Sequence, residues 1–215
     1  MRKKVIVVTI IFLTITLLVL TLYSFNYLPH RKYTNKDFAI KTYQSSIDKD
    51  NDGIDDQTDI LTNARKYIAT KPKYKSKYYE TGYPNDNYGV CTDVVAFSLL
   101  EAGYDLKELV NIDIKKNRKL YNIEVIDKNI DFRRVRNLQV YFKNNAISLT
   151  TDINDIASWQ GGDIVIFEKH IGIVSDKRNK KGINFIIHHA NPLQLYYEED
   201  VLEKYTDIVG HYRVS

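Results

Sequence analysis

The sequence predicts an α+β domain behind an apolar N-terminal segment, with helices first and an antiparallel sheet after them. Three observations carry this. Stretches between residues 59 and 144 space their apolar residues as helices do, residues 163–188 switch to short β-branched runs, and residues 5–23 contain no charge, Gly or Pro. A chain of 215 residues fits one core of ordinary domain size plus extras. With 44% hydrophobic residues and 17 Tyr, it is not a disordered chain. Its single Cys excludes an internal disulfide framework and a Cys-cluster zinc site.

The apolar segment comes first. Nineteen helical residues span about 28 Å, close to the thickness of a bilayer's hydrocarbon layer. Arg2, Lys3 and Lys4 precede it and mark its cytoplasmic side. Residues 1–23 are therefore expected to form a single-pass membrane anchor, with everything after Tyr23 outside the cell. A cleaved signal peptide is the competing reading and would make the domain secreted, although Ser24-Phe25-Asn26-Tyr27 lacks a small-x-small cleavage site. Residues 24–45 read as a basic, Tyr-containing extracellular tether, and the domain as residues 46–215. From Ser46 onward there are 24 basic and 26 acidic residues. The overall charge of +4 thus comes from the N-terminal part, which argues against a nucleic-acid face.

The domain opens on an acidic loop, residues 48–59. Asp48, Asp50, Asp52, Asp56 and Asp59 stand at relative positions 1, 3, 5, 9 and 12, with Gly53 at 6 and the Ile54 carbonyl at 7. That is the spacing of an EF-hand-like calcium loop, in which Gly allows the sharp turn. Asp replaces the usual bidentate Glu at the last position, so the loop is closer to the Asp-rich loops of dockerins and thrombospondin-type repeats. The alternative is a solvated acidic turn that caps the next helix. A structural calcium ion is the cofactor expected; no organic cofactor is.

Residues 59–70 follow as a helix, stopped by Pro72, and 73–88 as a Tyr/Lys/Asn loop punctuated by Gly82, Pro84 and Gly89. Cys91 to Ala102 reads as a strongly apolar helix ended by Gly103. Shorter helices are expected over 106–111 and 134–144. Strands are expected over 163–168, 170–175 and 183–188, the last two joined by a polar hairpin loop, with a final strand over 207–214.

Cys91 opens its helix, where unpaired backbone N–H groups and the helix dipole favour a thiolate and can hold an oxyanion. His170 starts one strand, and His188 and His189 end the next, so an antiparallel pairing brings these ends side by side. Cys at a helix start with a His base and a second polar side chain is the pattern of nucleophilic catalysis. Each part also has a plainer reading: a small buried thiol, hydrogen-bonding histidines, or a metal pair at 188–189.

Trp159-Gln-Gly-Gly-Asp-Ile-Val-Ile-Phe167 and His170-Ile-Gly-Ile-Val174 closely resemble the G-D-[LIV]-V-x-F … H-[IV]-G-I segment of NlpC-type cell-wall cysteine peptidases. The fuller pattern resembles an uncharacterised family of exported bacterial proteins within that superfamily. It runs through Gly89-Val-Cys-Thr-Asp93, Gly103-Tyr-Asp-Leu106, Asn129-Ile-Asp-Phe-Arg-Arg134 and Gly210-His-Tyr-Arg213. The resemblance implies a papain-like fold, with the Cys helix packed on the C-terminal sheet. It also implies a triad of Cys91, His170 and His188, with His189 as the other candidate for third member, and Tyr83 at the oxyanion with Tyr79 and Tyr88 behind it. Val90-Cys91-Thr92 stands where the family usually has Asp-Cys-Ser. Arg133 and Arg134 offer a clamp for a substrate carboxylate, or simply surface ion pairs. The activity implied is a membrane-anchored extracellular thiol hydrolase, an amidase or endopeptidase, acting on peptidoglycan or muropeptide amide bonds. A non-catalytic wall-binding or assembly module and an acyl or peptidyl transferase are the alternatives.

Overall fold

The computed structural model describes residues 2–215, which divide between Arg31 and Lys32 into two units. The first holds helix α1 (Arg2–Ser24), 23 residues long, with none of them buried. It is long and apolar enough to cross a membrane. Its Thr9, Thr14, Thr16 and Thr21 hydroxyls donate to carbonyls three or four residues back, so these four hydroxyls make their hydrogen bonds within the helix.

The second unit corrects the expected boundary. Residues 32–45, read as a tether, are part of the domain. Tyr33 exchanges backbone hydrogen bonds with Arg178, and Asn35 donates to the Gln160 side chain. Tyr43 Oη donates to the Ser215 carbonyl, and the Tyr43 ring lies 4.0 Å beneath the Arg213 guanidinium. Polar side chains make these contacts, so no apolar periodicity announces them.

Helix α2 (Asp56–Ala69) starts three residues earlier than its apolar pattern, because Asp55 caps it by accepting from Thr58 N. The loop after it contains a minimal parallel pair, β1 (Lys73–Tyr74) and β2 (Tyr88–Gly89). Helix α3 (Cys91–Leu100) begins where expected. Asp93 closes its first turn by accepting from Val90 N. Helix α4 (Leu106–Tyr121) runs ten residues beyond its expected end, since Leu106, Val110, Ile114 and Tyr121 all reach the core. A short α5 (Lys128–Asp131) and α6 (Val135–Asn145) complete the helical layer.

The strands are β3 (Ile147–Ser148), β4 (Ile164–Phe167), β5 (Ile171–Arg178), β6 (Asn184–Ile187), β7 (Glu198–Glu199) and β8 (Ile208–Arg213). They form one antiparallel sheet in the order β3-β8-β4-β5-β6-β7. Strand β4 is apolar throughout because both its faces are covered. Ile164 and Ile166 join the main core with Val94, Val95, Leu99, Leu138 and Phe142 of the helices. Val165 and Phe167 point the other way, into a smaller cluster around Trp159, Ile186 and Leu202. Asp163, just before β4, is a buried hub. Its carboxylate accepts from Gln57, Gln160 N, His211 and Arg213, tying α2 to the far strand β8.

Candidate active site

The β5–β6 register pairs Ile173 with Ile187 and Val174 with Ile186, which sets the start of β5 beside the end of β6. His170 and His188 flank this edge. His170 Nε2 lies 2.8 Å from His188 Nδ1, so of the two candidates for third member, His188 is the one bonded to His170. Gly172 makes room for the approach: a Cβ there would meet Ile186 Cγ2 at 2.6 Å and His188 Cβ at 3.2 Å. His189 is buried edge-on to Tyr74 and Tyr197.

Cys91 is brought to this edge by the packing of α3 on β5. Backbone N–H groups of Ile171, Thr92 and Cys91 itself act on its sulfur, which places the residue after His170 near the thiol. These donors favour a thiolate, but burial outweighs them and pushes the thiol up to about 11. Burial, together with the neighbouring His188 and His189, lowers His170 to about 3. Burial thus holds both the Cys91 thiol and the His170 imidazole towards their neutral forms. Tyr205 stacks on His170, with ring centroids 5.7 Å apart, and walls the site on the sheet side.

The chain extends past His188. Its Nε2 lies 3.0 Å from Glu199 Oε2, and that oxygen also accepts from Gln194 Nε2 at 2.8 Å. Glu199 sits on β7, a two-residue strand whose sequence carries no alternation. Its neighbour Glu198 faces the opposite way, to Arg65 and Ser175. Glu199, Gln194, Tyr205 and Tyr74 were not marked by any sequence pattern.

The remaining candidates go elsewhere. Tyr83 Oη donates to Asp105 at 2.7 Å, where Asp105 caps α4, so its hydroxyl serves that helix and not an oxyanion. Tyr79 donates to Asp86, and the Tyr88 ring lies under Lys77. Arg133 is buried in a two-pronged pair with Asp93, at 2.6 and 2.9 Å, and donates to the Lys77 carbonyl. It is not free to clamp a substrate; it neutralises the carboxylate that closes the first turn of α3, two residues from Cys91. Arg134 is exposed and paired with Asp131 at 3.2 Å.

In the acidic loop the carboxylates of Asp48, Asp50 and Asp52 converge within 4.8 Å of one another. Asp59 is buried, and burial with the charges of Asp52 and Asp50 raises its pKa to about 6. Asp56 departs from the expected ligand set: its carboxylate accepts from Lys49 N and from the Tyr104 hydroxyl. Ile54 is exposed, and its N–H donates to Asp52.

Comparison with known proteins gives a family. The chain is 35% identical over 167 residues to the uncharacterized protein YijF of Escherichia coli (strain K12), a match covering 72% of this chain and 80% of that protein. No solved structure matches the chain. Residues 61–214, which contain Cys91, both paired histidines and Glu199, match the model of a domain of unknown function, and the chain belongs to that family, DUF1287.

Proposed function

We propose that this domain is a papain-like, NlpC-type thiol hydrolase that cleaves amide bonds of peptidoglycan outside the cell, held at the membrane by α1. The observation that carries the reading is the His170–His188 hydrogen bond at 2.8 Å, with the Ile171 N–H acting on the Cys91 sulfur. In the proposed reaction the Cys91 sulfur attacks the amide carbonyl carbon as His170 Nδ1 takes the thiol proton. The N–H of Cys91 holds the oxyanion. Breaking the C–N bond passes that proton to the leaving amine and leaves a thioester on Cys91. Water, deprotonated by His170, then splits the thioester to a carboxylic acid and returns the thiol. Since burial holds both groups towards their neutral forms, proton transfer accompanies attack on a bound substrate and does not precede it.

Peptidoglycan as substrate rests on the G-D-I-V … H-I-G-I-V likeness and on the basic tip before α1, which orients the domain outward. The burial that holds the thiol and imidazole towards their neutral forms favours a second reading, a wall-binding module without turnover. Transfer to an amine in place of water is the third. Incubating the full chain with purified peptidoglycan and an added amine separates them. Hydrolysis yields new free amino and carboxyl ends, transfer yields the amine adduct, and binding alone leaves the fragment masses unchanged.

For the acidic loop we propose a structural calcium ion held by Asp48, Asp50, Asp52 and Asp59, with the Ile54 carbonyl. Its support is the convergence of three carboxylates near a buried fourth, Asp59, on which the charges of Asp52 and Asp50 act.

A further inference from the structure

We infer that Glu199 is a positioning residue that fixes which nitrogen of each histidine carries the hydrogen, and thereby leaves His170 Nδ1 with its lone pair, free to act as a base. The inference deepens the proposed relay and rests on it for its catalytic meaning, though not for its geometry. A carboxylate only accepts hydrogen bonds. With Glu199 Oε2 3.0 Å from His188 Nε2, that nitrogen carries the hydrogen. With its hydrogen on Nε2, His188 offers a lone pair at Nδ1. His170 Nε2, 2.8 Å away, must be the donor to it. A neutral imidazole has one N–H, so His170 Nδ1 is left with its lone pair, the state a base needs. Burial, which keeps His170 neutral, holds the arrangement at physiological pH.

The surroundings hold Glu199 in this role. It is nine-tenths buried, and His188 is 1% exposed. Gln194 donates to the same oxygen, while its own Oε1 accepts from Ala190 N, so the loop after β6 clasps the carboxylate. Glu198, the adjacent acid, is engaged by Arg65 and Ser175 and does not compete for His188.

Nitrogen-15 NMR of the full chain in detergent micelles, labelled at histidine, reads the tautomers directly. The expected result is Nε2–H on both His170 and His188 in the native chain. In Glu199→Gln the side-chain oxygen still accepts, and the pattern stays. In Glu199→Leu the acceptor is gone, His188 shifts to Nδ1–H, and His170 is forced to Nδ1–H. Turnover should follow the tautomer: kcat falls on the order of 10²-fold or more in Glu199→Leu, with KM little changed, and recovers largely in Glu199→Gln. Doubly protonated His188 in the native chain, or unchanged tautomers in a folded Glu199→Leu, would overturn the inference. If both variants were unfolded, the native-chain tautomers alone would decide it. The expected tautomers in a chain without turnover would count against the hydrolase reading and leave this inference standing.

Discussion

At Cys91 two opposing effects meet, and their balance sets what the resting protein does. Backbone N–H groups at a helix start stabilise a thiolate, yet burial of the sulfur costs more, leaving the thiol near 11. A thiol whose pKa lies that high is reactive only in the small fraction that is ionised. Its alkylation by iodoacetamide in the native chain should therefore rise about tenfold per pH unit between pH 7 and 9. A rate already level from pH 6 upward would mean a preformed thiolate–imidazolium pair and would contradict this balance. The residues of this relay differ in how far the sequence exposes them. Cys91 is readable because it is the single Cys and precedes an apolar helix, and His170 and His188 because they bracket β-branched runs. Glu199 is hidden: it follows a turn, pairs through two residues of strand, and stands beside another Glu. Tyr83 and Arg133 show the converse error. Both lie in the right stretches, but a Tyr hydroxyl and a guanidinium go to the nearest unsatisfied acid, here Asp105 and Asp93.

Among the elements, α3, β5 and β6 carry the site, and their positions were legible because continuous apolar runs mark them. Helix α4 shows where pattern reading stops short, since between its buried Ile114 and Tyr121 lie six residues, none of them buried and four of them charged. The acidic loop leading into α2 is the element with the most testable chemistry. Asp59 has a folded pKa of about 6 against an ordinary value of 3.8. The protonated form is thus favoured by folding, and stability falls as pH rises from about 4 through 6, where the folded carboxyl ionises. A cation among Asp48, Asp50 and Asp52 would reverse that loss. Millimolar calcium is expected to raise the melting temperature at pH 7, to raise it less at pH 5, and to have no effect in an Asp50→Ala, Asp52→Ala chain. Melting curves that coincide with calcium and with chelator at pH 7 would exclude the ion.

On the scale of the whole molecule, the domain begins at Lys32, and the segment before α2 belongs to its structure. Arg178 is fully buried and has no carboxylate in direct contact. It instead donates to Asn35 Oδ1 at 2.6 Å, to the Asn184 side chain, and to the carbonyls of Ile156, Trp159 and Gly182. Removing Asn35 leaves a buried charged donor unpaired, at a cost of about 1–3 kcal/mol. A chain starting at Lys32 should therefore melt close to the full chain in the same detergent, and one starting at Ser46 clearly lower. Equal melting of the two truncated forms would restore the tether reading. Sequence reading missed this because a fourteen-residue strap held by Asn, Tyr and Ser side chains has the composition of a linker.

The account as a whole depends on Cys91 acting as a nucleophile on wall peptides, and one comparison reaches it directly. Purified peptidoglycan is digested with the native full chain and with Cys91→Ala, and the soluble fragments are weighed by mass spectrometry. The account predicts fragments with new amino and carboxyl ends from the native chain, and their release slowed by at least about a thousandfold in Cys91→Ala. Equal release by both chains, or none from the native chain, would contradict it.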